Sequence, residues 1–160
     1  MARSKSNISN TAIRMFLQDV GKFYDEARGF DPFGPKIAQK IEILSYFEYQ
    51  CCFCGVPVNE QTLSQDHLIP MNKAKLGLHA WGNIVPCCKD CNNEKQQRPW
   101  REFLVERAGG EESKRREKID NFVVSKNYDP DLNLHEYADN LYSDVGEVAV
   151  TLIRLRYKQA

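Results

Sequence analysis

Apolar residues at Ile13, Phe16, Leu17, Val20, Tyr24 and Ala27 recur at intervals of three and four, the spacing of one stripe along an α-helix. With Ser9, Asn10 or Thr11 as cap, they predict a first helix over Ser9–Arg28. Gly29, Pro32, Gly34 and Pro35 break the pattern, so residues 29–34 read as a loop and Pro35 as part of the first turn of a second helix. Ile37, Ile41, Leu44 and Tyr46 or Phe47 mark the buried side of that helix, which runs to about Tyr49. Helical spacing resumes from Asp90 to about Ala108 and stops at Gly109-Gly110. A shorter helix is expected over Lys114–Ser125, with Ile119, Phe122 and Val123 inward and Lys114-Arg115-Arg116 as its solvated start, a phosphate-backbone contact being the alternative use of those three. After a turn around 127–131, a long helix from about Leu134 to Tyr157 carries Tyr137, Leu141, Val145, Val148, Leu152 and Leu155 on one side. No internal repeat is visible.

The stretch Cys51–Lys95 has no such periodicity and concentrates chemistry instead. Cys51-x2-Cys54 and Cys88-x2-Cys91 are thiol pairs at the spacing that lets each supply two corners of a tetrahedral zinc site. The 33 residues between Cys54 and Cys88 exceed the insert of a simple zinc ribbon, so a substantial element lies between the knuckles. Gly55 supports a tight turn after the first pair. Three disulfides are the competing use of six cysteines, but a polar N-terminus followed by an amphipathic stretch gives no secretory or membrane-spanning segment. The expectation is a cytoplasmic protein with reduced thiols. Cys52 and Cys87 adjoin the knuckles and read as small buried apolar residues; a register in which one of them is a ligand is the alternative.

Inside the cysteine frame stand Asp66-His67, Pro70, a loop rich in Lys and Gly, Asn83, and Asn92 directly after the fourth cysteine. The ordered pattern C-x2-C, D-H-x-x-P, G-N-I-V-x-C-C-x-x-C-N-x-x-K covers about 45 residues and resembles the HNH endonucleases, the four-cysteine zinc branch of the ββα-metal (His-Me finger) nucleases. Phosphodiester hydrolysis needs a base, a cation to neutralise phosphate charge, and in-line geometry, and an imidazole titrating near neutrality suits the first task. The resemblance implies Asp66 as ligand of a catalytic cation, His67 as general base, and Asn83 as the residue that orients the histidine through nearby backbone. Asn92 stands where the family's last histidine falls; its amide oxygen suits a hard cation, Mg²⁺ or Mn²⁺, and Gln96 is a further candidate ligand on the same helical face. Lys95, Arg98 and Arg101 are candidate phosphate contacts. Adjacent residues on a strand point to opposite faces, so Asp66 and His67 need a pleat distortion or an edge-on metal to serve one phosphate. His79 and His135 fall outside the pattern and read as surface residues, and Trp81 and Trp100 as packing anchors.

Length and charge refine this picture without redirecting it. The chain has 160 residues, 42% hydrophobic and 28% charged, enough for one domain with its own core: helices over 1–50, a zinc-framed unit over 51–108, helices over 109–160. Lys plus Arg and Asp plus Glu number 22 each, so net charge names no polyanionic partner. Residues 71–101 nonetheless carry six basic side chains against two acidic ones, while 128–147 is acidic without Lys or Arg. The implied architecture is α+β: a ββα-metal unit with a four-cysteine zinc site, its first strand at Asp66-His67, its second after Asn83, its helix from near Asp90. The implied activity is metal-dependent DNA cleavage to 5′-phosphate and 3′-hydroxyl ends, in restriction, phage defence or phage DNA processing, alone, as a homodimer or with a separate targeting protein. A zinc-framed module that binds nucleic acid or protein without cutting is the competing class.

Overall fold

The computed structural model describes residues 5–157; residues 1–4 of the polar N-terminus and the side chain of Tyr137 lie outside the described residues. The first helix, α1 (Lys5–Ala27), starts a turn before the expected caps, and Ser9 is buried within it. Its stripe behaves as the spacing requires, with Ile13 and Leu17 fully buried. Gly21 lies where α1 meets the backbone of residue 79: a Cβ there would come within 2.4 Å of the His79 carbonyl oxygen, so only glycine permits this approach.

Helix α2 (Ile37–Tyr46) presents a different face from the expected one. Ile37 and Ile41 are exposed, and the inward side is Gln39, Ile43, Leu44 and the following Phe47. Gln39 accounts for the rotation. Its amide accepts from Gly34 N at 2.8 Å and donates to Pro32 O at 2.9 Å, so the helix turns a polar side chain inward to satisfy the loop before it.

Strands β1 (Ser64–His67) and β2 (Ile84–Cys87) form an antiparallel pair, Asp66 opposite Val85 and His67 opposite Ile84. β2 is buried throughout. The expected helix from Asp90 to Ala108 is two: α3 (Lys89–Lys95) and α4 (Trp100–Arg107). Pro99 disfavours helical geometry at Arg98, and Gln96 ends α3 with φ of 47°. A 3-10 turn over Gly109–Glu111 leads into α5 (Glu112–Ser125), and α6 (His135–Tyr157) closes the chain against α1. The stripe expected along α6 is buried only in part: Val148, Leu152 and Leu155 are exposed. Among the described residues the fold is thus a two-stranded sheet among six α-helices, a mixed α+β arrangement of ββα type over β1, β2 and α3.

Two apolar clusters hold it. One packs α2, α4 and α5 on the β-pair through Ile43, Leu44, Phe53, Ile84, Phe103 and Phe122; the other joins α1 to the loop after β1 and to Tyr128 and α6. Between them sits a buried ion pair. Asp25 binds Arg28 at 2.5 Å, and its carboxylate also accepts from Phe33 N at 2.9 Å and Trp81 N at 3.0 Å. Arg28 in turn donates to the carbonyls of Trp81 and Lys126. One acid therefore joins the end of α1, the loop after it, the approach to β2 and the end of α5. Trp81 packs edge-on to Phe33, and Trp100 lies under Arg101, whose guanidinium carbon is 4.3 Å from its ring centre.

Candidate active site and zinc centre

The knuckle around Cys51 is shaped by backbone bonds, Gly55 N to Cys51 O at 2.9 Å and Cys51 N to Val56 O at 2.8 Å, with Gly55 at φ of +77°. Cys52 N donates to Pro86 O at 3.0 Å, which seats the knuckle on β2. The second knuckle is the start of α3, where the Cys88 sulfur caps the helix by accepting from Cys91 N at 3.4 Å. The Sγ atoms of Cys51, Cys54, Cys88 and Cys91 all lie within 4.8 Å of one another, and those of Cys54 and Cys88 are 3.8 Å apart. Four sulfurs about 2.3 Å from a shared zinc ion stand about 3.8 Å apart in a tetrahedron, so the cluster fits that ion. Cys52 and Cys87 are outside it, and burial pushes both thiols well up, keeping them neutral. Arg115 does not face solvent as expected. Its Nη1 donates to Cys51 O at 3.3 Å, and its guanidinium fills the space a Gly55 side chain would take.

Asp66 and His67 end β1, and both open onto one cleft of about 380 Å³ whose other walls are Arg14, Pro70, Met71, Asn72, Gln96 and Gln97. Both are paired within β1, Asp66 opposite Val85 and His67 opposite Ile84, and the cleft meets both at the strand's end. Asp66 is buried. Lys95 is fully buried too, with its Nζ 2.8 Å from Asp66 Oδ2 and donating to His67 O at 2.9 Å, so it braces α3 to β1 instead of meeting a phosphate from the surface. A buried carboxylate, in a cleft that also holds the Gln96 amide, offers the hard oxygen donors that suit a divalent cation. Burial pushes the Asp66 carboxyl up against the pull of Lys95. Burial, and then the positive surroundings of His79, Lys95 and Arg14, push His67 down to about 3, so its imidazole is neutral at neutral pH.

Asn92 lies one turn before Gln96 on α3, its carbonyl accepting from Gln96 N at 3.4 Å; the cleft wall itself is Gln96 and Gln97. Arg98 is paired with Glu106, and Arg101 forks onto Asp120 at 2.7 and 3.2 Å; neither lines the cleft. His135 is exposed at the start of α6.

Asn83 is fully buried and closes the loop between the strands. Its Oδ1 accepts from Ile69 N at 2.8 Å, and its Nδ2 donates to Ile69 O at 3.0 Å and Leu78 O at 2.8 Å. The loop arms then touch so closely that a Cβ on Gly77 would stand 1.9 Å from Ile69 O. We expect Asn83→Ala to cost about 2–4 kcal/mol, since three buried backbone groups lose their partner; urea unfolding measures it, and a loss below about 1 kcal/mol would show that the loop closes without the amide.

Two residues at the site escaped the sequence reading. Arg14 of α1 lines the cleft and also a neighbouring depression of about 410 Å³ with Asn10, Met71, Asn72, Lys73, Ala74 and Gln97. His79 is not on the open surface: its Nδ1 is 3.1 Å from His67 Nε2, and its ring packs edge-on to Phe33. Nothing in the local spacing signals either contact, because each depends on how α1 and the loop fold back over β1.

Residues 51–105 match the family model described as HNH endonuclease. That matched segment holds the two knuckles, the Asp66-His67 strand end and α3. No curated protein matches the chain.

Proposed function

We propose that the chain is a metal-dependent endonuclease that hydrolyses DNA phosphodiester bonds at the Asp66–His67 cleft. The observation that carries this reading is that a neutral imidazole and a buried carboxylate open onto one cleft at a strand end, inside the segment that matches the HNH model. His67 takes the proton from water, and Lys95 and Asn83 hold the strand end and loop that present it. Asp66 and Gln96, which share the cleft, would hold Mg²⁺ or Mn²⁺, which would supply charge neutralisation on the phosphate; Asn92, expected as a ligand, does not line that cleft. Zinc on the four cysteines has a structural part only, since all four protein ligands close its coordination sphere. Arg14 supports a strand path through the cleft and the neighbouring depression, because a guanidinium suits phosphate oxygens.

The ammonium of Lys95 beside Asp66 favours a second reading, a domain that binds nucleic acid without cutting, because a cation already neutralises the carboxylate. Cleavage of supercoiled plasmid by the zinc-loaded protein, with Mg²⁺, Mn²⁺ or chelator, separates the two. The nuclease reading expects metal-dependent nicking that His67→Ala lowers about 10²–10⁴-fold with DNA affinity retained, and weaker DNA binding in Arg14→Ala. Full retention of DNA binding with no cleavage in any metal selects the binding domain.

A further inference from the structure

His67 has two ring nitrogens, and a base needs one of them bare. Its Nε2 lies 3.1 Å from His79 Nδ1, so one of these two atoms carries the shared proton. If His79 donated, the hydrogen on His67 would sit on Nδ1 and neither nitrogen would accept a proton from water. If His67 Nε2–H donates, His79 carries its own hydrogen on Nε2, and His67 Nδ1 is left with its lone pair.

The surroundings of His79 are built to hold one ring position. Its backbone N–H donates to Leu17 O of α1 at 3.4 Å, and its carbonyl is covered by Gly21 at a distance that admits no side chain. On one side Asn83 fixes the carbonyl of the preceding Leu78, and the Tyr128 hydroxyl oxygen accepts from Leu78 N at 3.2 Å. On the other, Phe33 meets the ring edge-on at 5.5 Å. Residues 17, 21, 33 and 128 all lie outside the segment that matches the HNH model, so flanking parts of the chain hold the residue that meets the His67 ring.

We propose that His79 is a positioning residue for His67, accepting the Nε2–H hydrogen bond and thereby fixing the ring and the tautomer in which His67 Nδ1 receives the proton from water. When His67 takes that proton it becomes an imidazolium whose Nε2–H remains on His79 Nδ1; the O–H bond of water breaks, an N–H bond forms at Nδ1, and no electrons leave the pair of rings. The proposal rests on the nuclease reading for the choice of tautomer and for its consequence in rate, and on the geometry for the contact itself.

The test uses the zinc-loaded full chain and three variants. His79→Phe keeps a ring against Phe33 but offers no acceptor; His79→Asn places a carbonyl oxygen close to where Nδ1 stood. We expect His79→Phe to lower kcat about 10- to 100-fold, part of what a positioned base contributes, with KM within about twofold, while His79→Asn recovers most of the loss. His67→Ala serves as the floor. Long-range ¹H–¹⁵N NMR at a fixed neutral pH reads the tautomer directly: Nε2–H at His67 in the wild type and His79→Asn, a mixture in His79→Phe. Equal kcat losses in the Phe and Asn variants, or no loss in either, would overturn the positioning role. So would an Nδ1–H tautomer at His67 in the wild type. If the wild type cuts no DNA, the nuclease reading fails and the NMR result alone decides the contact.

Discussion

Removing zinc by chelator, or by Cys91→Ser, is expected to abolish cooperative unfolding of the central segment together with any cleavage. The apparent binding energy of a structural four-ligand zinc is about 10–16 kcal/mol near neutral pH, as large as the whole stability of an ordinary domain. Here the knuckles are not peripheral: Cys51 and Cys91 are fully buried in the same cluster as Phe53, Phe103 and Ile84. Uncompensated thiols at the four positions would leave β2 and α3 without their common anchor, and Cys88 also caps α3. Metal analysis and thermal unfolding followed by circular dichroism check this, with one zinc per chain expected in the wild type. Cys52→Ala and Cys87→Ala should keep the zinc. A chain that melts at the same temperature with and without metal would refute the structural role.

Asp25→Ala should be the most damaging single change outside the central segment, at about 3–5 kcal/mol, because Arg28 would be left buried and unpaired. Two further groups, the N–H of Phe33 and of Trp81, lose their acceptor with it. For a chain of this size that corresponds to a fall in Tm of roughly 10 °C or more. The exposed pair Asp19–Lys22, 2.9 Å apart on the same helix, provides the control: Asp19→Ala should change stability by less than about 1 kcal/mol. A comparable small effect from Asp25→Ala would mean that the fold relaxes around the vacancy and that the carboxylate is not its hub.

What the sequence disclosed is what neighbours in sequence decide. The cysteine spacing reports two local turns, and each turn is closed by bonds within five residues, so the zinc frame was readable from the chain. Asp66-His67 and Asn83 were likewise placed on or beside the right strands. Pro99 carried a legible warning that the helix after Asp90 would break, but the apolar spacing on both sides of it masked the signal. Lys95 shows why residue type alone misleads. A lysine on a short helix reads as solvent-facing, and only the approach of α3 to β1 turns it inward onto Asp66 and the His67 carbonyl. Asp25 and His79 were out of reach for the same reason, since their partners, apart from Arg28 beside Asp25, are 8 to more than 50 residues away. Arg14 joins them, because the cleft it lines is built from residues 66–97. The outward Ile37 and Ile41 complete the lesson: one glutamine serving a loop carbonyl outweighed two isoleucines in setting the rotation of a helix.

Tyr128 gives the central segment a boundary that its motif does not. Its hydroxyl holds Leu78 in the strand-connecting loop, its ring fills the space over Gly82, and a Cβ on that glycine would come within 2.5 Å of it. Tyr128 is itself fixed against Tyr24 of α1 at 5.7 Å, ring edge to ring face. The segment of this chain that matches the HNH model is therefore not a portable cassette. Excised at its own ends, or grafted into another host, it would leave behind the parts that shape its loop, and any exchange of such motifs between proteins would have to carry compatible helices along with it.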